Sequence, residues 1–417
     1  MEGCSMDHVR TSKAILKRGL WATATVLPGP AKRALLVSNN ANTEVQSTVR
    51  AKVVKDTRPV IIDIGTSSCK IGYAGDAKPS FIVSSRVGKL GDNLKEHFIG
   101  KESDIYSNIS QKFADPIRHG IIVDWDCIEA TLEYLFVEEM KIRPIDHPVL
   151  LSDPPLSPIT NREKYTEMMF ETFNIPAFHI AHQSRLSMYS YGRTSSLVVE
   201  CGHGVSYVVP IIDGHVLPSL IRRADYAGAD VTKYLMQLLN GSGQTFNEEH
   251  LDILEDIKNK YCYMALDFNN EIASPSTKYL MEYKLPDEQK ITIGKQRFIC
   301  PEMLLQPSLI GSPQPGLQDM TMTCINRCDA SFTESMHNNI LLCGGMTMLK
   351  GFPERFRKEL NKLPSHQTPC VVAWPGRQFS AWKGGSVLAS LNYFQQICLY
   401  RREYEEYGPS IVYRQCF

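Results

Sequence analysis

Val60-Ile61-Ile62-Asp63-Ile64-Gly65-Thr66 opens the first patterned stretch of this chain, and Leu197-Val198-Val199-Glu200-Cys201-Gly202-His203-Gly204 repeats its design about 137 residues later. Each copy is a branched apolar run that favours a strand. Each run ends in an acid, passes through a glycine-containing turn and continues into a second apolar run. Glycine lets a backbone come close to a phosphate and lets successive N–H groups converge on one concavity. An acid at that turn suits a hard cation held through its waters. Lys70, just beyond the first turn, suits phosphate oxygens as a point charge. One such turn alone is a weak signal and reads more readily as an ordinary hairpin. Two in register argue for related lobes that face each other across a cleft and hold a triphosphate from both sides. Aspartic proteases also duplicate an acid–glycine turn, but their chemistry needs two carboxylates sharing a proton. Glu200 sits on a differently shaped turn and Lys70 follows Asp63, which argues against that class.

The composition agrees with a globular reading. The 417 residues carry a formal net charge of zero, which gives no whole-protein case for nucleic acid. No apolar run approaches the roughly 20 residues that span a bilayer, and the N-terminus lacks the apolar core of a secretory signal. The twelve cysteines show no CxxC pairs. Cys324 and Cys328 lie four apart with no second pair or histidine cluster to complete a zinc site, so buried free thiols in a reducing, cytoplasmic compartment are expected. Residues 1–57 are read as a disordered basic arm. Up to Arg58 it holds ten Lys and Arg against four Asp and Glu, with one apolar patch at Ala34-Leu35-Leu36-Val37.

From Pro59 onward the chain alternates strand-like and helical runs, which argues an α/β architecture. In 126–140, Ile128, Leu132, Leu135 and Phe136 share a helical face. His147-Pro148-Val149-Leu150-Leu151 reads as a buried strand, and a helix is expected from about Asn161 to Thr172.

Longer stretches carry a resemblance. GIIVDWD (120–126), NREK (161–164), MFETFNIPA (169–177), DIKNKYCYMALDF (256–268), ITIGKQRF (291–298), CPEMLLQPSLIG (300–311), LASL (388–391) and GPSIVYRQCF (408–417) occur in one order along 58–417. In this the chain resembles the actin family. SDPPLSP (152–158), SRLSMYSYGRTS (184–195), GHGVSYVVP (202–210) and GPAKRA (29–34) are more similar to its germ-line actin-like members than to actin itself. The resemblance implies one actin-like domain over 58–417. Its two duplicated ribonuclease-H-like lobes close on ATP or ADP with Mg²⁺, and the chain returns to the first lobe at about 380–417, around Trp382 and Gly385. It assigns Asp63, Gly65, Thr66 and Lys70 to the first phosphate loop and Gly202 and Gly204 to the second. It assigns Gln183 to orienting the attacking water, and Gly228, Lys258, Gly345 and Met348 to the adenosine side. Asp63 and Glu200 are its metal candidates.

The departures matter as much. Where actin has aspartates, this chain has Glu200 and His203; where actin has a histidine, it has Tyr207. Ser67 replaces a glycine, Asn259 a ribose-side glutamate, and Glu255 and Gln378 replace basic residues near the base. His203 removes an oxygen ligand that Mg²⁺ prefers, and a tyrosine is a poor proton acceptor at neutral pH. Nucleotide binding with weak hydrolysis is the expectation. A partner groove is implied at Tyr189, Gly192, Leu391, Tyr393 and Ile397. Cytoskeletal proteins, actin and actin-binding proteins among them, are the partners implied for the groove and the arm. The function expected is a cytoskeletal structural or adaptor protein in spermatids, around the acrosome and nucleus. A nuclear actin-related subunit of chromatin machinery and an active actin-type ATPase are the alternatives.

One segment bears on assembly. Residues 88–98 read GKLGDNLKEHF, about seven residues shorter than the actin loop that plugs an apolar tip into the next subunit, and polar and charged in character. Such a loop buries little apolar area at a longitudinal contact. The purified chain is therefore expected to remain monomeric or in small complexes under actin-polymerising salt. Sedimentation and electron microscopy check this, and long filaments would refute it.

Overall fold

The computed structural model describes residues 57–90, 97–100, 111–364 and 367–415. The expected arm, its Ala34–Val37 patch and the middle of the 88–98 segment lie outside the described residues.

The first sheet has the order β19-β10-β9-β1-β2-β3, from β1 (Val60–Ile64), β2 (Ser68–Tyr73), β3 (Phe81–Ser84), β9 (Val149–Asp153), β10 (Ala177–His182) and β19 (Leu399–Tyr400). The central strands are parallel and fully buried, with Val60 against Val149 and Phe178 against Val149. Strands covered on both faces need the near-continuous apolar runs seen in the sequence. The second sheet repeats the plan, with the order β13-β12-β11-β17-β18 and β14 paired to β12. It comprises β11 (Ser196–Cys201), β12 (Ser206–Ile212), β13 (His215–Val216), β14 (Arg222–Ala224), β17 (Ile340–Cys343) and β18 (Val371–Val372). In each sheet an antiparallel hairpin lies beside a parallel strand: β1–β2 with β9, and β11–β12 with β17. The internal repeat of the sequence is thus a repeat of topology.

Side-chain alternation divides each sheet between two cores. In the first lobe Val60, Ile62 and Ile64 face the core under α1 (Trp125–Tyr134) and α2 (Ile159–Glu167), while Ile61 faces the core of Leu186 and Trp382. In the second lobe Leu197, Val199 and Cys201 face one core and Val198 the other. The expected α1 face is present, with Ile128, Leu132, Leu135 and Phe136 all buried. Both α1 and α2 run on into wide π-type turns, Leu135–Glu139 and Met168–Thr172.

Smaller elements extend each lobe. The three-stranded sheet β5-β4-β6, from β4 (Val87–Leu90), β5 (His97–Phe98) and β6 (Gln111–Ala114), builds on the first lobe, followed by the hairpin β7 (Ile117–Arg118) and β8 (Ile121–Ile122). Helices α4 (Gly228–Asn240) and α5 (Leu251–Tyr261) and the hairpin β15 (Met281–Lys284)–β16 (Lys290–Ile293) build on the second. Among the described residues no helix is long and apolar enough to cross a membrane. All ten described cysteines are free and nine are buried; Cys370 departs from the expectation by being exposed.

Helix α3 (Gln183–Ser190) spans the junction of the lobes and packs against a late helix, Ser380–Ala389. Trp382 of that late helix is fully buried and its Nε1 donates to the Ile61 carbonyl at 3.1 Å. Contact is closest at Gly384, where an added Cβ would lie 1.6 Å from the Leu186 carbonyl oxygen. Gly384→Ala is expected to cost at least about 2–3 kcal/mol, because backbone rather than a flexible side chain must move. Gly376→Ala, a position where nothing lies within 4 Å of the added carbon, is the control. Thermal or urea unfolding of both variants checks the difference.

Candidate functional site

The two hairpin turns meet over a cavity of about 310 Å³. They close in the same way: Gly65 N–H donates to the Ser68 carbonyl and Gly202 N–H to the Val205 carbonyl, each at 3.1 Å. A Cβ on Gly204 would sit 2.7 Å from the Thr66 side chain, so the turns touch across the gap and an added methyl would force Thr66 to shift. Among the described residues the N–H groups of Thr66, Ser67, His203 and Gly204 have no protein acceptor, and all four residues line the cavity. Converging free N–H groups form an anion cradle, which fits the phosphates of a nucleotide.

Asp63 is almost fully buried at the end of β1. Its Oδ1 accepts from Ser152 Oγ at 2.6 Å and Gln183 Nε2 at 3.1 Å, and Lys70 Nζ lies 3.3 Å from Oδ2. Lys70 and Asp63 face each other in the β1–β2 register. Lys70 also donates to the Ser68 carbonyl at 3.0 Å, so its charge lies inside the first turn. Gln183 reaches the Ile64 carbonyl and Ser152 as well, which fixes its amide nitrogen on the first lobe. Glu200, opposite on β11, accepts from Ser184 Oγ at 3.1 Å. Burial, and then the nearby Asp63 carboxylate, push Glu200 up to about 7. Two carboxylates thus remain for a divalent ion, and one of them holds its proton to near neutrality.

The two substituted positions are now specific. Tyr207 is buried, and its hydroxyl accepts from Arg223 Nη1 at 3.3 Å. Burial raises its phenol to about 12, far from the range of a base at neutral pH. His203 has its ring lowered below the ordinary histidine value by burial, and its Nδ1 lies 3.7 Å from Glu255 Oε1. A neutral imidazole there is no substitute for an aspartate oxygen beside a hard cation.

At the far end of the cleft, Lys258 is buried and all three of its protons are engaged. Nζ donates to the Gly228 carbonyl at 2.9 Å, Thr232 Oγ1 at 2.8 Å and Glu255 Oε1 at 2.6 Å. Arg377 is likewise held by Thr347 and the Trp374 carbonyl. Gly345, Asn259, Glu255 and Gln378 line the cavity, whereas Gly228 and Met348 do not; Met346 takes the wall instead. Gly228 lies behind Met346, whose Cγ and Sδ would be 3.0 Å from an added Cβ, and its N–H donates to the Gly202 carbonyl. Ser152, Ser184, Thr232 and Met346 had no sequence signal, because each acts through a contact made only in the fold.

The expected groove residues divide. Tyr189, Leu391 and Ile397 are half-buried against the junction core, Gly192 is half-buried, and Tyr393 is exposed. Among the described residues no group of three or more His, Cys, Asp or Glu is placed to hold a metal, and Cys328 donates its thiol to the Cys324 carbonyl.

Two lobes of one duplicated sheet-and-hairpin design, meeting at facing glycine turns, define an actin-type nucleotide-cleft fold. The chain belongs to the actin family: the family model described as Actin matches residues 54–417. It is 53% identical over 389 residues to Actin-like protein 7A of Rattus norvegicus, covering 90% of this chain and 88% of that one. Against Actin-like protein 7A of Homo sapiens it is 50% identical over 419 residues, 97% and 96% of the two chains. Against Actin-like protein 7B of Homo sapiens it is 51% identical over 397 residues, 93% and 94%.

The state of Glu200 gives a pH dependence. Its carboxyl ordinarily titrates at 4.5, and the fold keeps the proton to about 7. The stabilisation this carries is complete below 4.5 and is lost as pH rises through 7, a change on the order of 3 kcal/mol. Melting of the ligand-free protein should therefore fall relative to Glu200→Gln between pH 5 and 8. A constant difference across that range would contradict it.

Proposed function

We propose that this actin-related cytoskeletal protein is a structural or adaptor component that holds ATP or ADP with Mg²⁺ in its cleft and hydrolyses ATP weakly. The observation carrying this reading is the pairing of an intact phosphate cradle with a disabled water-activating side. The N–H groups of both turns, Lys70 and Asp63 remain, while Tyr207 is a donor-capped phenol and His203 is a neutral ring. A bound Mg²⁺ would supply charge neutralisation to the phosphates; Asp63 and Glu200 are the residues to hold it. Gln183, anchored to Asp63 and Ser152, is the residue to orient a water, and the phenol of Tyr207 is not suited to take that water's proton. Tyr393 and the half-buried Tyr189, Gly192, Leu391 and Ile397 offer a partner a mixed apolar groove at the lobe junction. A spermatid setting near the acrosome and nucleus, with actin or actin-binding proteins as partners, rests on the resemblance carried by residues 184–195 and 202–210.

Single-turnover hydrolysis at saturating Mg-ATP should be at least about tenfold slower than that of polymerised actin, since a positioned base contributes some 10²–10⁴. His203→Asp combined with Tyr207→His should raise the rate. A wild-type rate equal to that of polymerised actin would overturn the reading. Nucleotide should also raise the melting temperature by linkage, and less so in Lys70→Ala.

A further inference from the structure

The far end of the cleft carries polar groups that the fold leaves unused. Glu255 and Asn259 stand four apart on α5, so they share one helical face, and both line the cavity. Thr232, Lys258 and His203 all meet Glu255 at Oε1. Among the described residues nothing donates to its Oε2. Gln378 comes from a distant part of the chain, on the short 3₁₀ turn Arg377–Phe379. It lines the same cavity, and its Oε1 is buried with no hydrogen-bond partner among the described residues. A buried acceptor left unpaired is destabilising. One on a cavity wall points to a donor on whatever fills the cavity.

The two cations at this end are already spent. Lys258 gives its protons to the Gly228 carbonyl, Thr232 and Glu255. Arg377 gives Nε and both Nη groups to Thr347 and the Trp374 carbonyl. What faces the cavity is therefore an amide oxygen and a carboxylate oxygen, with Met346 as an apolar, polarisable wall for the face of a ring. We propose that this end reads a purine by its donors, so that GTP and GDP enter the cleft beside ATP and ADP and are held more tightly. The proposal rests on the nucleotide reading above for the phosphates, which the two turns hold elsewhere in the same cavity, and adds to it the choice of base.

The argument is one of matching donors to acceptors. Adenine has a single donor group, its exocyclic amine, and its ring nitrogens are acceptors. Guanine has two adjacent donors, the ring N1–H and the N2 amine. Guanine can satisfy Gln378 Oε1 and Glu255 Oε2 together. Adenine can satisfy one, and leaves the other against a lone pair. A hydrogen bond to a charged acceptor is the stronger kind, and a polar group left unpaired in a closed site is what rejects a ligand most effectively. The amide nitrogens of Gln378 and Asn259 can serve the acceptors that both purines carry, so they do not discriminate. Selection falls on the two oxygens.

The test is equilibrium calorimetry of the full chain in Mg²⁺ with GTP, ATP, inosine triphosphate and inorganic tripolyphosphate. GTP should bind about tenfold tighter than ATP, the worth of one hydrogen bond to a charged acceptor. Inosine triphosphate keeps N1–H but lacks the N2 amine, and should fall between them. Glu255→Gln keeps an oxygen for Lys258 and Thr232 and should narrow the preference by about threefold or more. Gln378→Lys replaces an acceptor by donors and should bring GTP down to the affinity of ATP or below it. Melting of each variant without ligand reports whether it is folded. Tripolyphosphate reports the turns alone. If ATP binds wild type as tightly as GTP or tighter, or the preference is the same in both variants, the choice of base is refuted and the nucleotide reading stands. If tripolyphosphate binds and neither nucleotide does, the choice of base is refuted as well. If nothing binds, both readings fail.

Discussion

Everything in this molecule depends on the near-contact of two helices at the lobe junction. Gly384 lets Ser380–Ala389 lie against the backbone of α3 with no room for even a methyl group, and Trp382 ties the same helix to β1 through the Ile61 carbonyl. Because α3 begins at Gln183, this packing also fixes the residue that bridges Asp63 and Ser152. The cleft geometry is thus set from behind. Each hairpin hangs from a fully buried strand, and the two strands are held at one separation by a helix pair that cannot slide without a clash.

On that frame the site is electrostatically self-contained. Lys70 answers Asp63, Lys258 answers Glu255, and Arg377 is taken up by carbonyl and hydroxyl oxygens. A site built around a tightly held polyanion leaves cations aimed at the ligand; here most of them face the protein. The exchanged character of His203 and Glu255, relative to an aspartate and a basic residue in actin, reads as a coordinated change. An acid at 255 captures Lys258, and a neutral ring at 203 avoids placing a second acid beside it.

Much of this was legible in the sequence. The paired hairpins followed from Asp63-Ile64-Gly65 and Glu200-Cys201-Gly202, because strand, acid and glycine turn are local signals. The buried face of α1 followed from its period. At the far wall the structure adds detail: Met346 lines the cavity and Met348 does not. Met348 and Met346 are two residues apart on one short 3₁₀ turn, and only the fold decides which faces the cavity. Gly228 was legible as a glycine but not as one reserved for packing against Met346. The internal saturation of Lys258 was out of reach, since Thr232, Glu255 and the Gly228 carbonyl converge through the packing of α4 and α5, which no sequence spacing shows.

The capture of Lys258 by Glu255 has a further meaning for the life of the protein. A buried ammonium left without a partner would make an empty cleft costly, and the folded chain would then lean on whatever occupied it. With the carboxylate built in, emptiness carries no such penalty. The far wall of the cleft therefore carries its own charge balance whether or not a ligand is present.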